Sequence, residues 1–154
     1  MASIRDSTPF IEPIRKSVVV RRTPAEAFEI FTARLASWWP YTRFSIHQAE
    51  TATCGIEPRV GGEVFELSKR GERATWGRIL EWDPPRRFTM SWHPGQPSDT
   101  AQVVELRFTP VAEGTRVDLE HRDWARRPDA AEARKNYDGG WATVFEQCYV
   151  EAIA

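Results

Sequence analysis

Little in this sequence points to chemistry carried by a thiol, a metal or a net charge. Of 154 residues only two are cysteine, Cys54 and Cys148. They lie far apart and form no CxxC, so no structural disulfide is expected and a reduced, cytoplasmic protein is. The three histidines are scattered, with no HxxxH and no mixed Cys/His spacing, which argues against a metal site. A formal net charge of −1 leaves no global field to attract nucleic acid or an anionic membrane. No apolar run approaches the ~18 residues of a membrane span, and "MASIRDSTPFIEPIRKS" contains no apolar stretch of a signal peptide. GxSxG, GxGxxG and the P-loop are missing too. No cofactor is implied, and no local pattern sets up a nucleophile.

Aromatic residues are what the chain has in quantity: seven Trp, eight Phe and three Tyr. Arginine far outnumbers lysine, but the arginines are interleaved with acids, as in Arg122, Asp123, Arg126, Arg127 and Asp129. That pattern reads as a solvated mixed-charge surface. The length suits one domain, expected over 14–154 behind an N-terminal tail at 1–13.

The β-branched run Val18 to Val20 predicts a first strand. Thr23, Pro24 and Glu26 then form a capping-box signature for a helix with Ala27, Phe28, Ile30, Phe31 and Leu35 on one stripe. Pro40 closes a short second helix or turn. Residues 50 to 122 read as six strands. The turn at Lys69–Arg73 contains Gly71, "DPP" at 83 to 85 breaks a strand, and "EG" at 113 to 114 turns a hairpin. Gly61-Gly62 predicts a turn or bulge. Alternation places Val104, Leu106 and Phe108 on one face of a strand, and Val117, Leu119 and His121 on one face of the next. Asp129 and Glu132 predict the start of a final helix, with Tyr137, Trp141, Val144, Phe145, Cys148 and Ala152 on its apolar face. Gly139-Gly140 allows two readings: a break in that helix, or a close approach of helix to sheet.

Four segments carry a family resemblance: "EPRVGGEVFE" (57–66), "WGRILEWDPPRRFTMSW" (76–92), "TRVDLEHRDW" (115–124) and "GGWATVFEQ" (139–147). With the element order they make the chain similar to the START-like (SRPBCC) superfamily, and within it to the activator-of-heat-shock-ATPase homologues. The resemblance covers most of the chain from about residue 14. It implies an α+β helix-grip fold, in which a curved, antiparallel seven-stranded sheet wraps a long C-terminal helix, with two short helices after the first strand. A cavity between sheet and helix is implied as well. Members of the wider superfamily hold lipids, steroids, polyketides or plant hormones there, and some are cyclases or dehydratases. The co-chaperones that name the family carry a further N-terminal domain that docks on the ATPase, for which this chain is expected to have no room.

The expected partner is therefore a small hydrophobic or aromatic molecule, with Trp39, Phe44, Trp92, Phe108, His121, Trp141 and Phe145 lining its site. His121 has three open readings: a satisfied core histidine, a ligand contact, or the acid/base of a cyclase or hydrolase. Glu63 and Glu66 read as surface charges, unless one turns inward beside His121. A protein-interaction role, with a chaperone ATPase or as a homodimer, is a further alternative. In "WGRILEWDPPRRFTMSWHP", Phe88, Met90 and Trp92 share a face expected to be interior. Trp76 and Trp82 share a face with Arg78 and Leu80 that is expected to lie outside, where the indoles would meet solvent or a dimer partner.

Overall fold

Ile14–Val20 forms β1, and its alternating burial follows the β-branched pattern. In this computed structural model, residues 10–154 are described; most of the expected tail, residues 1–9, lies outside them. Thr23 caps α1 (Pro24–Phe31) with the expected box: its Oγ1 accepts from the Glu26 amide while Glu26 accepts from the Thr23 amide. Two one-turn helices follow, α2 (Leu35–Trp38) and α3 (Tyr41–Phe44), separated by Trp39-Pro40.

The remaining strands are β2 (Thr51–Ile56), β3 (Glu63–Ser68), β4 (Arg73–Asp83), β5 (Arg87–Trp92), β6 (Gln102–Val111) and β7 (Gly114–Arg122). They form one antiparallel meander, and β1 pairs with β7 to give the order β1-β7-β6-β5-β4-β3-β2. One face of this curled sheet grips α4, which runs over residues 130–153. The architecture is the helix-grip fold.

β4 corrects the expected placement of its tryptophans. Trp76 is 1% exposed, and Trp82 is half-buried against Phe28 and Phe88. The reason is a pair of β-bulges. Trp76 is left unpaired opposite Val64 and Phe65 of β3, and Leu80 is left unpaired opposite β5. Each bulge reverses the alternation once. Trp76, Ile79 and Trp82 therefore all face inward, while Arg78, Leu80 and Glu81 are exposed. The expected outer surface or dimer contact of these indoles loses its basis.

The helix departs from expectation in three ways. The Asp129 carboxylate is held by Arg127 (2.8 Å) and makes no capping bond. Gly139-Gly140 does not break the helix, and Gly140 faces the Phe44 ring rather than the sheet. Over Ala142–Tyr149 the helix widens into π-type turns. A row of residues spaced by four drifts around a helix of about 3.6 residues per turn. Wider turns reduce that drift, and Trp141, Phe145, Tyr149 and Ile153 are all buried while Ala152 is exposed.

Phe28 and Phe31 of α1 interlock with Phe88 and Phe108 of the sheet and Tyr149 of α4. The Tyr149 hydroxyl donates to Ala27 O (2.8 Å), and Arg22 donates to Ile153 O (3.1 Å), so the segment from the end of β1 into α1 clamps the C-terminal end of the helix. Burying each such ring contributes about 2–3 kcal/mol. A cavity bordered by Trp39, Trp92 and Trp141 lies toward the other end of α4. Among the described residues no helix is long and apolar enough to cross a membrane.

Candidate functional site

Trp39, carried past the end of α2, and Trp92, at the end of β5, meet Trp141 of α4 in a cluster of indoles. Their ring centroids are 6.3 Å (Trp39–Trp92), 6.3 Å (Trp39–Trp141) and 5.5 Å (Trp92–Trp141) apart, and Trp76 stands behind at 4.9 Å from Trp39. The cluster forms one wall of an open cavity of about 470 Å³. Phe44, Ile46, Pro94, Gly95, Tyr137, Gly140 and Val144 complete its apolar lining, and Ser45, Gln48 and Asn136 bring polar groups. The size and the mix of aromatic walls with few polar groups suit a small-molecule site.

Four of the seven expected site residues, Trp39, Phe44, Trp92 and Trp141, border this cavity. The other three lie elsewhere. Phe108 packs on Phe28 and Phe31, and Phe145 stacks on Tyr149 at 5.7 Å. His121 is 0% exposed behind the wall. Its Nδ1 accepts from Trp141 Nε1 (3.0 Å), and its Nε2 faces Gln102 Oε1 (3.1 Å). An indole N–H only donates, so Nδ1 must be the unprotonated nitrogen and Nε2 must donate to Gln102. Burial, and secondarily the Arg127 charge, push the imidazole pKa down to about 3. His121 is thus a neutral strut with both nitrogens committed, stacked on Trp124 at 4.1 Å.

Glu66 corrects the expectation of a surface charge, since it is 0% exposed. Oε1 accepts from the Ile46 amide (2.7 Å) and Trp76 Nε1 (2.6 Å). Oε2 accepts from the His47 amide (2.8 Å) and faces His47 Nδ1 at 2.6 Å. Burial raises the carboxyl pKa, but the His47 and Ile46 amides and the Trp76 indole outweigh it, and the net shift is downward. Glu66 pins the segment after α3 that carries Ser45, Ile46 and Gln48 into the cavity lining. Sequence alternation gave no hint of this, because the partners come from an irregular segment some twenty residues away.

Cys54 does not offer a nucleophile. Burial, and then the Glu66 charge, push its thiol up to about 12, so the thiolate is scarce at neutral pH. Both cysteines are free. Among the described residues no three His, Cys, Asp or Glu side chains group as a metal site would require. Tyr137, Asn136 and Gln48 line the cavity without having been singled out for it. Tyr137 was legible only as part of the apolar helix face, one turn before Trp141.

A curled seven-stranded sheet gripping a C-terminal helix beside an aromatic cavity defines a START-like protein. The chain belongs to the family described as Activator of Hsp90 ATPase homolog 1-like protein, whose model matches residues 21–150. Among solved structures, it is 37% identical to Txn09, described as an anthrahydroquino-γ-pyrone synthase and solved in a complex. That alignment covers 95% of this chain and 100% of Txn09, with a TM-score of 0.66. A Rhodobacter sphaeroides protein (22% identity, 92% and 90% coverage, TM-score 0.66) and CalU16 from Micromonospora echinospora (23%, 92% and 72%, TM-score 0.59) share the fold. Among curated proteins, none matches.

Proposed function

We propose that this protein binds a planar, fused-ring aromatic molecule in the cavity between β5, α3 and α4. The observation that carries this reading is the wall of Trp39, Trp92 and Trp141 around about 470 Å³ of open space. Flat rings gain both area burial and offset or edge-on aromatic contact there. A cytoplasmic location goes with the two free thiols. Calorimetric titration with anthraquinone-2-sulfonate, a soluble flat probe, tests the reading. Wild type is expected to bind, and Gly140→Leu, which fills the cavity beside Phe44, is expected to lose binding while staying folded. Absence of binding by any fused-ring probe would remove the proposal.

A second reading, that the protein closes a ring on such a molecule, is favoured by the 37% identity to Txn09 over nearly the whole of both chains. A γ-pyrone forms when a phenolic oxygen attacks a side-chain carbonyl carbon and the former carbonyl oxygen leaves as water. Such a step needs a folded substrate and a polarised carbonyl, and it needs no protein nucleophile. A hydroxyanthraquinone bearing an adjacent 1,3-diketone chain is a suitable test substrate. Mass spectrometry should detect loss of one water faster with the protein than without it. Equal rates would end this reading while leaving the binding proposal in place.

A further inference from the structure

Tyr137 borders the cavity from α4, and its hydroxyl has the Trp92 indole as a hydrogen-bonding neighbour. Trp92, 3% exposed, has a buried Nε1 that lacks a hydrogen-bond partner of regular geometry. The two are neighbours: the Trp92 indole N–H is the main influence lowering the Tyr137 hydroxyl, against the larger upward effect of burial. A buried donor left without a well-formed partner costs free energy, which the fold has accepted in this cavity wall. Ser45 Oγ, of another lining residue, is buried and unpaired as well.

We propose that Tyr137 and Trp92 form a polar end to the cavity that recognises a carbonyl oxygen, of the quinone or aryl-ketone kind, on the bound ring system. This deepens the binding reading above and rests on it. The polarity follows from donor and acceptor inventory. An indole N–H can only donate, whereas a phenol both donates and accepts. When Trp92 N–H gives its hydrogen bond to the Tyr137 oxygen, the Tyr137 proton is left free for an acceptor on a molecule in the cavity. The group it meets there has to be an acceptor. A carbonyl fits, and a ligand edge made only of C–H does not. The net upward shift keeps the phenol protonated at neutral pH, as this role requires. The pair also supplies what carbonyl polarisation would need in a ring closure.

Two probes of the same shape separate this inference from the reading beneath it. Anthraquinone-2-sulfonate carries two ring carbonyls, and anthracene-2-sulfonate has none. Calorimetric Kd values for wild type are expected to favour the quinone by roughly 5–10-fold, the worth of one hydrogen bond in a partly buried site. Tyr137→Phe keeps the ring and is expected to erase that preference by weakening quinone binding, leaving the anthracene Kd within about twofold of wild type. Equal binding of the two probes to wild type would overturn the carbonyl site and leave the aromatic cavity standing. So would a quinone preference that survives in Tyr137→Phe. Failure of both probes to bind wild type would overturn the cavity reading and this inference together.

Discussion

Trp141 donates its indole N–H to His121 Nδ1 across 3.0 Å, and this bond decides what the histidine can do. The acceptor nitrogen that a general base would use is already occupied, and the other nitrogen is turned to Gln102. His121 therefore holds a cavity wall in position instead of facing a substrate. Its neutral state has a measurable consequence. A histidine whose pKa falls on folding, here to about 3, is protonated in the unfolded chain before the folded one. Stability is full above an unfolded pKa of about 6.5 and declines as pH drops from there toward the folded value, by up to ~1.4 kcal/mol per pH unit. Urea denaturation at pH 7.5 and pH 5.5 should show wild type losing stability. His121→Gln, which retains an acceptor for Trp141, should lose less across the same interval.

Glu66 acts in a lower window. Its pKa is depressed on folding, so its contribution is complete above the unfolded value near 4.5 and is lost as pH falls through the folded value. Glu66→Gln replaces one carboxylate oxygen by an amide NH2, while Ile46 N, His47 N and Trp76 Nε1 can only donate and both oxygens accept from them, so at least one of these bonds is lost. The expected cost is about 3 kcal/mol at pH 7, as for breaking a buried charge-assisted network. The variant should also bind the anthraquinone probe more weakly, because the segment bearing Ile46 and Gln48 loses its anchor. Denaturation midpoints and probe Kd values measured side by side check both outcomes.

Gly77 allows β4 and β5 to come together where the first bulge reverses the strand. A Cβ there would lie 1.7 Å from Ser91 O, and the adjacent Arg78 amide donates to Ser91 Oγ (2.9 Å). Gly77→Ala must push two sheet backbones apart and is expected to cost ~3 kcal/mol. A fall in Tm with poor soluble yield would agree; an unchanged Tm would show that the strands can part without penalty.

The same bulges mark the limit of what could be read in the sequence. The six-strand meander and the inward faces of β5, β6 and β7 follow from period-two alternation and turn residues, and the capping box at Thr23 from its residue spacing; the structure shows each of them, while the pairing of β1 with β7 was not legible that way. Alternation along β4 could not place Trp76 or Trp82, because a bulge leaves no local signature beyond a glycine. Period-3.6 reasoning placed Cys148 and Ala152 on the apolar stripe; Cys148 does pack half-buried against the core, but Ala152 is exposed, and the π-type turns bring Tyr149 and Ile153 inside. At the site, aromatic type and position pointed to Trp39, Phe44, Trp92 and Trp141. Burial of His121 was legible from its strand parity, but its separation from the cavity depends on the Trp141 ring lying between them, a tertiary fact. Glu66 was illegible because its four donor atoms come from a loop and a neighbouring strand.

Adjacent glycines of α4 offer a separation of stability from ligand binding. Both Gly139 and Gly140 sit within the helix, where alanine is favoured by about 1 kcal/mol. A Cβ on Gly139 would meet nothing within 4 Å, so Gly139→Ala is expected to gain most of that amount and raise Tm by a few degrees, with probe Kd unchanged. A Cβ on Gly140 would reach 3.4 Å from the Phe44 ring, a tolerable contact inside the cavity. Gly140→Ala should therefore gain a similar stability while weakening the anthraquinone probe by a few-fold, since the methyl occupies ligand space. Scanning calorimetry with and without probe distinguishes the two. If Gly140→Ala bound the probe as wild type does, the ligand would have to sit away from the Gly140–Phe44 side of the cavity.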